Sequence, residues 1–290
     1  MRLLIAFCEG GYGNRYFQIS YLLKNFKERK FIVFQSLQID GAKNFRIKFI
    51  ENICFITLHP RVYLVARKLT VAVAQYFQLG LGFEDIDEIS GPIGVLKISN
   101  ENENVIIVRD FYMVVANREN TVDSHKKILL FNANFRVPEN NFDIFLHVRI
   151  GDYIKFNHRG NYLDFRYYYR YYLRSIRKIS LQHSFVKCIG VYTDEPQNRI
   201  IYRLIAYAAS KGIAASNASS GNAKIDWISM SRTKYGGICS ASTFSLSALL
   251  SANYKIGYIP RGWLNFNRNS CFPASMIDSK YTVDGNIWII

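Results

Sequence analysis

Residues 2–35, RLLIAFCEGGYGNRYFQISYLLKNFKERKFIVFQ, predict the order of secondary structure on which the fold depends. The segment opens with an apolar run typical of a buried strand, passes through glycines, and continues with apolar residues at helical spacing. The apolar run at 30–35 predicts the next strand, which gives a βαβ unit. Further along, the sequence predicts a helix at 61–82 and strand or core segments at 104–112 and 126–132. The sequence therefore predicts an α/β fold.

The same alternation of strands and helices begins again after residues 135–141, where Pro138 and asparagines interrupt the pattern and indicate a linker. A chain of 290 residues exceeds the usual size of one domain. We therefore predict an N-terminal α/β domain at 1–138 and a C-terminal α/β domain at 139–290, each with a parallel sheet covered by helices.

The formal net charge of +15 indicates an anionic partner. Nucleic acid, a nucleotide, a phosphorylated lipid carrier and membrane headgroups all satisfy that condition. Charge alone does not distinguish between them.

The five cysteines form no CxxC pair and have no histidines at zinc-site spacing, so we expect reduced thiols that are mostly buried. The N-terminal apolar run is short and ends at Glu9, which argues against a signal peptide. The chain also lacks an apolar run of about eighteen residues or more, as a membrane-spanning helix requires. These features predict a cytoplasmic protein.

Polar and glycine-rich residues follow the predicted strands in four places. They are CEGGYGN at 8–14, HVRIGDY at 147–153, YTDE at 192–195 and CSASTFS at 239–245. In open parallel sheets, ligands bind beyond the carboxyl ends of the strands. We expect a binding site at these ends.

Each of these segments has a functional and a structural interpretation. In FLHVRIGDYI, at 145–154, a strand carries Arg149 into a turn, or forms an edge strand in which Arg149 pairs with Asp152. The glycines of GGYGN, at 10–14, either bring backbone amides close to a phosphate or only form a tight turn. The hydroxyls of SASTFS, at 240–245, either hold a diphosphate or cap a helix.

Two further segments suggest other classes of protein. RYYYRYYLRSIRK, at 166–178, mixes tyrosines with basic residues, as nucleic-acid-binding surfaces do, although the favoured interpretation is an amphipathic helix whose apolar stripe is tyrosine and leucine. Asp85 and Asp87 form a DxD sequence like the metal-binding motif of many sugar-nucleotide transferases. No other set of His, Cys and carboxylates has metal-ligand spacing.

Four segments in order resemble the bacterial α-1,2-fucosyltransferase family and the wider group of HxRxGD fucosyltransferases. They are GGYGNRYFQ at 10–18, HVRIGDY at 147–153, VYTDE at 191–195, and the long segment at 226–264 that contains SASTFS. The resemblance implies a GT-B-like fold, with two Rossmann-like domains facing across a cleft. It implies an inverting transfer of L-fucose from GDP-β-L-fucose to a galactoside hydroxyl, with no metal cofactor.

The resemblance also implies roles for individual residues. Arg149 would clamp the diphosphate and His147 would orient the nucleotide, while Asp152 would fix the loop through backbone amides; these three are the catalytic candidates. The remaining residues expected to bind GDP-fucose are Gly11, Gly13, Asn14, Asp194, Asp226, Ser242, Thr243, Phe244 and Ser245. In this scheme the C-terminal domain binds the donor, and the N-terminal domain lies on the acceptor side.

The sequence departs from the family pattern at three positions. Ile150 stands where a second arginine is usual, Arg15 where glutamine is usual, and Ala241 where asparagine is frequent. These changes bear on the acceptor, which the resemblance implies is a galactose-terminated glycan or a lipid-linked oligosaccharide in surface glycan synthesis.

The catalytic base stays open among Glu9, Asp152 and His158. The basic surface agrees with peripheral contact at an anionic membrane, and no nucleic-acid partner is expected. Two alternatives remain: a nucleic-acid or polyanion-binding protein, and a metal-dependent GT-A glycosyltransferase that uses Asp85 and Asp87.

Overall fold

The computed structural model describes most of the C-terminal half of the chain and separate segments of the N-terminal half. The described residues are 3–8, 12–25, 30–36, 46–50, 53–76, 84–85, 94–95, 105–108, 141–151, 165–252, 254–260, 282–283 and 287–289. The chain divides into two compact units. One comprises Met1–Asn134 with Arg268–Pro273, and the other comprises Phe135–Asn267 with Ala274–Ile290.

The first unit is built on a five-stranded sheet. Its elements are β1 Leu3–Cys8, α1 Tyr12–Asn25, β2 Lys30–Ser36, β3 Arg46–Ile50, β4 Ile53–Leu58, α2 Pro60–Tyr76, β5 Glu84–Asp85, β6 Gly94–Val95 and β7 Val105–Val108. The strand order is β3-β4-β2-β1-β7, and β5 and β6 form a separate antiparallel pair. All neighbours in the larger sheet are parallel except the edge strand β3, which runs antiparallel to β4.

The second unit contains a seven-stranded sheet. Its elements are β8 Ile144–Val148, α3 Phe165–Gln182, β9 Cys188–Thr193, α4 Arg199–Ser210, β10 Ala214–Asn217, α5 Ala223–Ser231, β11 Gly236–Ile238, α6 Thr243–Ser251, β12 Ile256–Ile259, β13 Thr282–Val283 and β14 Ile287–Ile289. The strand order is β10-β9-β8-β11-β12-β14-β13, parallel throughout except for β13. Both units therefore have the predicted α/β fold.

The strand β8 lies inside its sheet, between β9 and β11, and all five of its residues are buried. The interpretation of this segment as an edge strand is therefore wrong. Gly237 of β11 lies opposite Phe145, and an added Cβ would be 2.5 Å from that ring. Glycine thus permits the close approach of the strands that carry Arg149 and the serine segment.

The tyrosine-rich segment is the amphipathic helix α3. Tyr168, Tyr171 and Tyr172 are buried in the core of the second unit, whereas Arg170 and Arg174 are exposed. The Tyr171 hydroxyl lies 2.9 Å from the carbonyl oxygen of Cys239, the residue after β11, and 2.8 Å from that of Tyr258 in β12, so its one proton is shared between the two acceptors. Buried tyrosines cannot stack on bases, so the helix interpretation is confirmed for these residues.

Two predicted boundaries differ from the structure or lie outside it. Helix α1 begins at Tyr12, so Gly13 and Asn14 belong to its first turn and not to a turn that precedes the helix. The helix predicted at 61–82 is confirmed over α2, and the strand predicted at 104–112 over β7. The segment predicted at 126–132 lies outside the described residues.

Candidate functional site

The ends of β8 and β11 bring the arginine segment and the serine segment together. Arg149 directly follows β8, and Ser242 precedes α6 in the connection from β11. The Arg149 Nη1 donates to the Ser242 Oγ at 3.4 Å, the long end of the hydrogen-bond range. Two segments 93 residues apart in sequence therefore meet at the carboxyl edge of the sheet.

Ser242 caps α6. Its side chain accepts a hydrogen bond from the Phe244 amide at 3.2 Å, in the extended backbone conformation of an N-cap. The capping interpretation of SASTFS is thus confirmed. The same hydroxyl also faces Arg149, so a side-chain cation and the positive end of a nine-residue helix lie at one place.

His147 is a buried residue that joins the two segments of this site. The ring is 6 % exposed, and its Nδ1 lies 2.8 Å from the Ser240 Oγ. Ser240 lies 3.3 Å from the Ser245 Oγ, and the Phe244 ring lies beside the imidazole with centroids 5.3 Å apart. His147 therefore connects β8 to the segment that begins α6.

Asp194 holds the loop that follows Arg149. Its carboxylate accepts hydrogen bonds from the amides of Ile150 and Gly151, at 2.8 and 3.1 Å. This is the role that the family resemblance implied for Asp152, which lies outside the described residues. Asp194 was expected to contact the nucleotide, and a contact with the loop that carries the arginine is what the structure shows.

Asp226 lies in the first turn of α5 and is buried. Its Oδ1 accepts hydrogen bonds from the Ser220 amide at 2.7 Å and the Ser220 hydroxyl at 2.6 Å. Burial raises the pKa of Asp226, and the two hydrogen bonds from Ser220 partly oppose that shift. The carboxyl group thus anchors the loop before α5, and its predicted contact with guanine or ribose stays a prediction.

The first unit carries a polar chain at the carboxyl ends of its strands. The buried Arg15 donates from Nη1 to the Gln35 Oε1 at 3.0 Å, and the Gln35 amide donates to the Thr57 hydroxyl at 2.9 Å. Gly13 and Asn14 precede Arg15 in the same helix. The departure from the family pattern at Arg15 is therefore a buried, hydrogen-bonded cation in this unit.

The thiol of Cys239, the residue after β11, is not available as a reactive thiolate. Complete burial raises the pKa of this thiol far above its ordinary value, so it remains protonated.

Among the residues that the structure describes, no group of three or more His, Cys, Asp or Glu side chains could hold a metal ion. In the same described residues, no helix is long and apolar enough to cross a membrane.

Five of the predicted site residues lie together at this edge of the sheet: Arg149, His147, Ser242, Phe244 and Ser245. Thr243, which follows Ser242 in the chain, is half-buried. Gly11, Asp152, Asp87 and the proposed bases Glu9 and His158 lie outside the described residues.

Sequence reasoning named Ser240 only as one of the SASTFS hydroxyls and gave Ser220 no role, whereas they contact His147 and Asp226. It also missed Gln35, which accepts a hydrogen bond from Arg15, and Thr57, which accepts one from Gln35. Ser240, Gln35 and Thr57 share one signal, a polar residue at or just beyond the end of an apolar strand.

Comparison with solved structures finds similar chains at low sequence identity. An arginine-to-lysine mutant of FUT1 from Arabidopsis thaliana, in complex with GDP, matches at 12 % identity and a TM-score of 0.48, over 88 % of this chain and 69 % of that one. A structure described as trehalose-6-phosphate from E. coli bound with UDP-2-fluoro glucose matches at 8 % identity and a TM-score of 0.32, over 93 % and 89 %. An OtsA structure without ligand matches at 9 % identity and a TM-score of 0.27, over 93 % and 90 %.

No protein-family model matches the chain. No curated protein matches it either.

Proposed function

We propose that the protein is a glycosyltransferase that moves L-fucose from GDP-β-L-fucose to a galactoside hydroxyl, with inversion and in α-1,2 linkage. The observation that carries the proposal is the contact between Arg149 and Ser242 at the start of α6. It joins a guanidinium to a helix N-terminus, two features that bind phosphate groups. The HxRxGD and STFS segments of the family resemblance are the ones that meet there.

The reaction explains why a cation is needed at this position. The acceptor oxygen attacks C1 of fucose, the bond from C1 to the phosphate oxygen breaks, and GDP leaves with the bonding electrons. The acceptor proton passes to a base or to water. Arg149 and the α6 amides stabilise the charge that develops on the diphosphate, so their contribution is larger in the transition state than in the ground state.

The remaining assignments extend this scheme. In our proposal the second unit binds GDP through Arg149, with His147 as a positioning residue, and the first unit receives the acceptor in a GT-B arrangement. The acceptor is a galactose-terminated glycan or lipid-linked oligosaccharide used for a surface glycan. We also propose that transfer needs no metal, since a guanidinium and a helix N-terminus supply the positive charge.

Donor selectivity and product linkage test the proposal together. GDP should raise the melting temperature by preferential binding to the native state, and UDP should do so much less. Incubation with GDP-fucose and a panel of galactosides should give a fucosylated product, whose linkage is mapped by NMR, and turnover should persist in excess EDTA. Equal stabilisation by UDP would contradict the donor assignment. Activity lost in EDTA and restored by manganese would favour the metal-dependent GT-A alternative.

A further inference from the structure

Helix α2 of the first unit presents large apolar side chains to solvent. Val62, Leu64, Val65 and Leu69 are each between 52 % and 60 % exposed. Val62, Val65 and Leu69 follow one another at helical spacing, so they form a continuous stripe. Isolated exposed leucines are ordinary on protein surfaces, but a stripe of adjacent ones indicates an interaction site.

The inward face of α2 is described between Tyr63 and Thr70. It places Tyr63 in the core beside Phe7 and Leu58, with the partly buried Ala66 one turn later. The Thr70 hydroxyl bonds back to the Ala66 carbonyl oxygen at 2.8 Å. A surface helix normally has its apolar stripe towards the core and its polar face outwards. In the described residues 60–70 of α2, Val62, Val65 and Leu69 instead face away from the sheet, so packing within the unit does not explain their exposure.

The edge strand β3 also carries exposed apolar side chains. Ile47 and Phe49 are exposed, Phe49 to 74 %, and they pair in register with Ile56 and Cys54 of β4. Ile56 packs against the cluster that includes Tyr63, so Ile47 and Phe49 lie on the α2 side of the sheet. On the other side, the alternate residues Phe31, Val33, Ile53 and Phe55 are all buried.

The charge around these residues has one sign. Between 46 and 76 the sequence contains five Arg or Lys residues and one Glu, and α2 itself contains no acidic residue. Arg61 and Lys68 are exposed and flank Leu64 on the turn beside the apolar stripe. Aliphatic side chains bordered by Arg and Lys are typical of helices that lie in the interface of an anionic bilayer.

We propose that α2 and the exposed residues of β3 form a membrane-docking surface that binds the headgroup region of anionic lipid bilayers. Val62, Val65, Leu69 and Phe49 enter the boundary between headgroups and acyl chains, while Arg61 and Lys68 contact lipid phosphates. A protein partner would have to supply an apolar groove lined with carboxylates, whereas an anionic membrane supplies both features across its whole surface. The inference concerns the first unit and does not depend on sugar transfer.

Vesicle sedimentation with the full-length chain tests this proposal. The probes are vesicles of phosphatidylcholine alone and vesicles in which about a third of the lipid is phosphatidylglycerol. The wild-type protein should bind the anionic vesicles and be released by high salt. The double variant Phe49→Glu with Leu69→Glu should lose at least about tenfold in partition coefficient, because both side chains are exposed and insertion would bury their new charges.

The matched control is Leu181→Glu, since Leu181 is 73 % exposed but lies in the second unit. It should bind vesicles like the wild type, and melting curves confirm that each variant is folded. The double variant Arg61→Gln with Lys68→Gln should reduce binding to anionic vesicles and leave binding to vesicles of phosphatidylcholine alone unchanged. Wild-type binding by the double glutamate variant would overturn the proposal. Failure of the wild type to bind anionic vesicles would also overturn the proposal. This holds equally if light scattering shows that these residues instead join two copies of the chain.

Discussion

At the scale of single residues, the loop that follows Arg149 is held in place by Asp194. The Arg149 Nη1 donates to the Ser242 Oγ at 3.4 Å, while the amides of Ile150 and Gly151 donate two shorter bonds to the Asp194 carboxylate. Sequence analysis singled out Arg149 through the family resemblance of the HxRxGD segment, because the strand pattern alone left an ion pair with Asp152 as an alternative. It could not predict the part played by Asp194, because that contact joins residues 43 and 44 positions apart.

A prediction at this scale concerns the titration of Asp226. Its folded pKa is raised by burial, so the native state binds this proton more tightly than the unfolded state, whose value is about 3.9. The contribution of Asp226 to the free energy of unfolding is therefore highest below the unfolded-state pKa and falls as the pH rises through the folded-state pKa. Asp226→Asn removes the titration.

Chemical denaturation of both proteins between about pH 4 and pH 7 measures the effect. The unfolding free energy of the wild type minus that of the Asp226→Asn variant should decrease as the pH rises and then level off. A difference that increases with pH would show that the hydrogen bonds from Ser220, and not burial, dominate the pKa.

At the scale of elements, the start of α6 has two roles that sequence reasoning treated as alternatives. The Ser242 hydroxyl accepts the Phe244 amide as an N-cap and also faces the Arg149 guanidinium. A cap orders the helix end, and an ordered end directs its amides at one point. Capping and anion binding are thus compatible at Ser242.

Substitution of Ser242 separates these two roles. Asp and Asn both serve as N-caps about as well as Ser, and they are nearly isosteric with each other. In Ser242→Asp, a carboxylate beside Arg149 would oppose a bound diphosphate, and such like-charge contacts cost several kcal/mol. We expect melting temperatures within a few degrees of each other for the two variants, but an affinity for GDP about a hundredfold lower for Asp than for Asn. Calorimetric titration measures both affinities, and equal values would place the diphosphate elsewhere.

The elements that sequence analysis predicted correctly are those whose signal is local. Apolar runs such as 30–35 and the helical spacing in α3 follow from burial in a sheet or on its face. The start of α1 was misplaced because Gly13 indicates a turn by propensity, whereas here it is buried within the helix. The central position of β8 was missed because strand order is set by pairing with β9 and β11, which lie far along the chain.

At the scale of the whole molecule, the two units differ in what their surfaces offer. The second unit concentrates a cation, hydroxyls and a helix N-terminus at one edge of its sheet, as a nucleotide diphosphate requires. The first unit buries Arg15 within a polar chain and exposes an apolar and basic helix. The net charge of +15 predicted an anionic partner, and the structure adds two candidate places for one, the sheet edge at Arg149 and the exposed face of α2.

The central claim is that Arg149 clamps the diphosphate of a GDP-sugar, and the most direct test is turnover of Arg149→Lys measured with its melting temperature. Lysine keeps the charge but loses the planar two-point geometry. Loss of one transition-state donor costs about 3 kcal/mol, on the order of a hundredfold or more in rate. Arg174→Lys, at an exposed position of α3, is the matched control and should behave like the wild type. The account predicts a folded Arg149→Lys protein with transfer from GDP-fucose reduced about a hundredfold or more; a folded variant with near-normal transfer would contradict it.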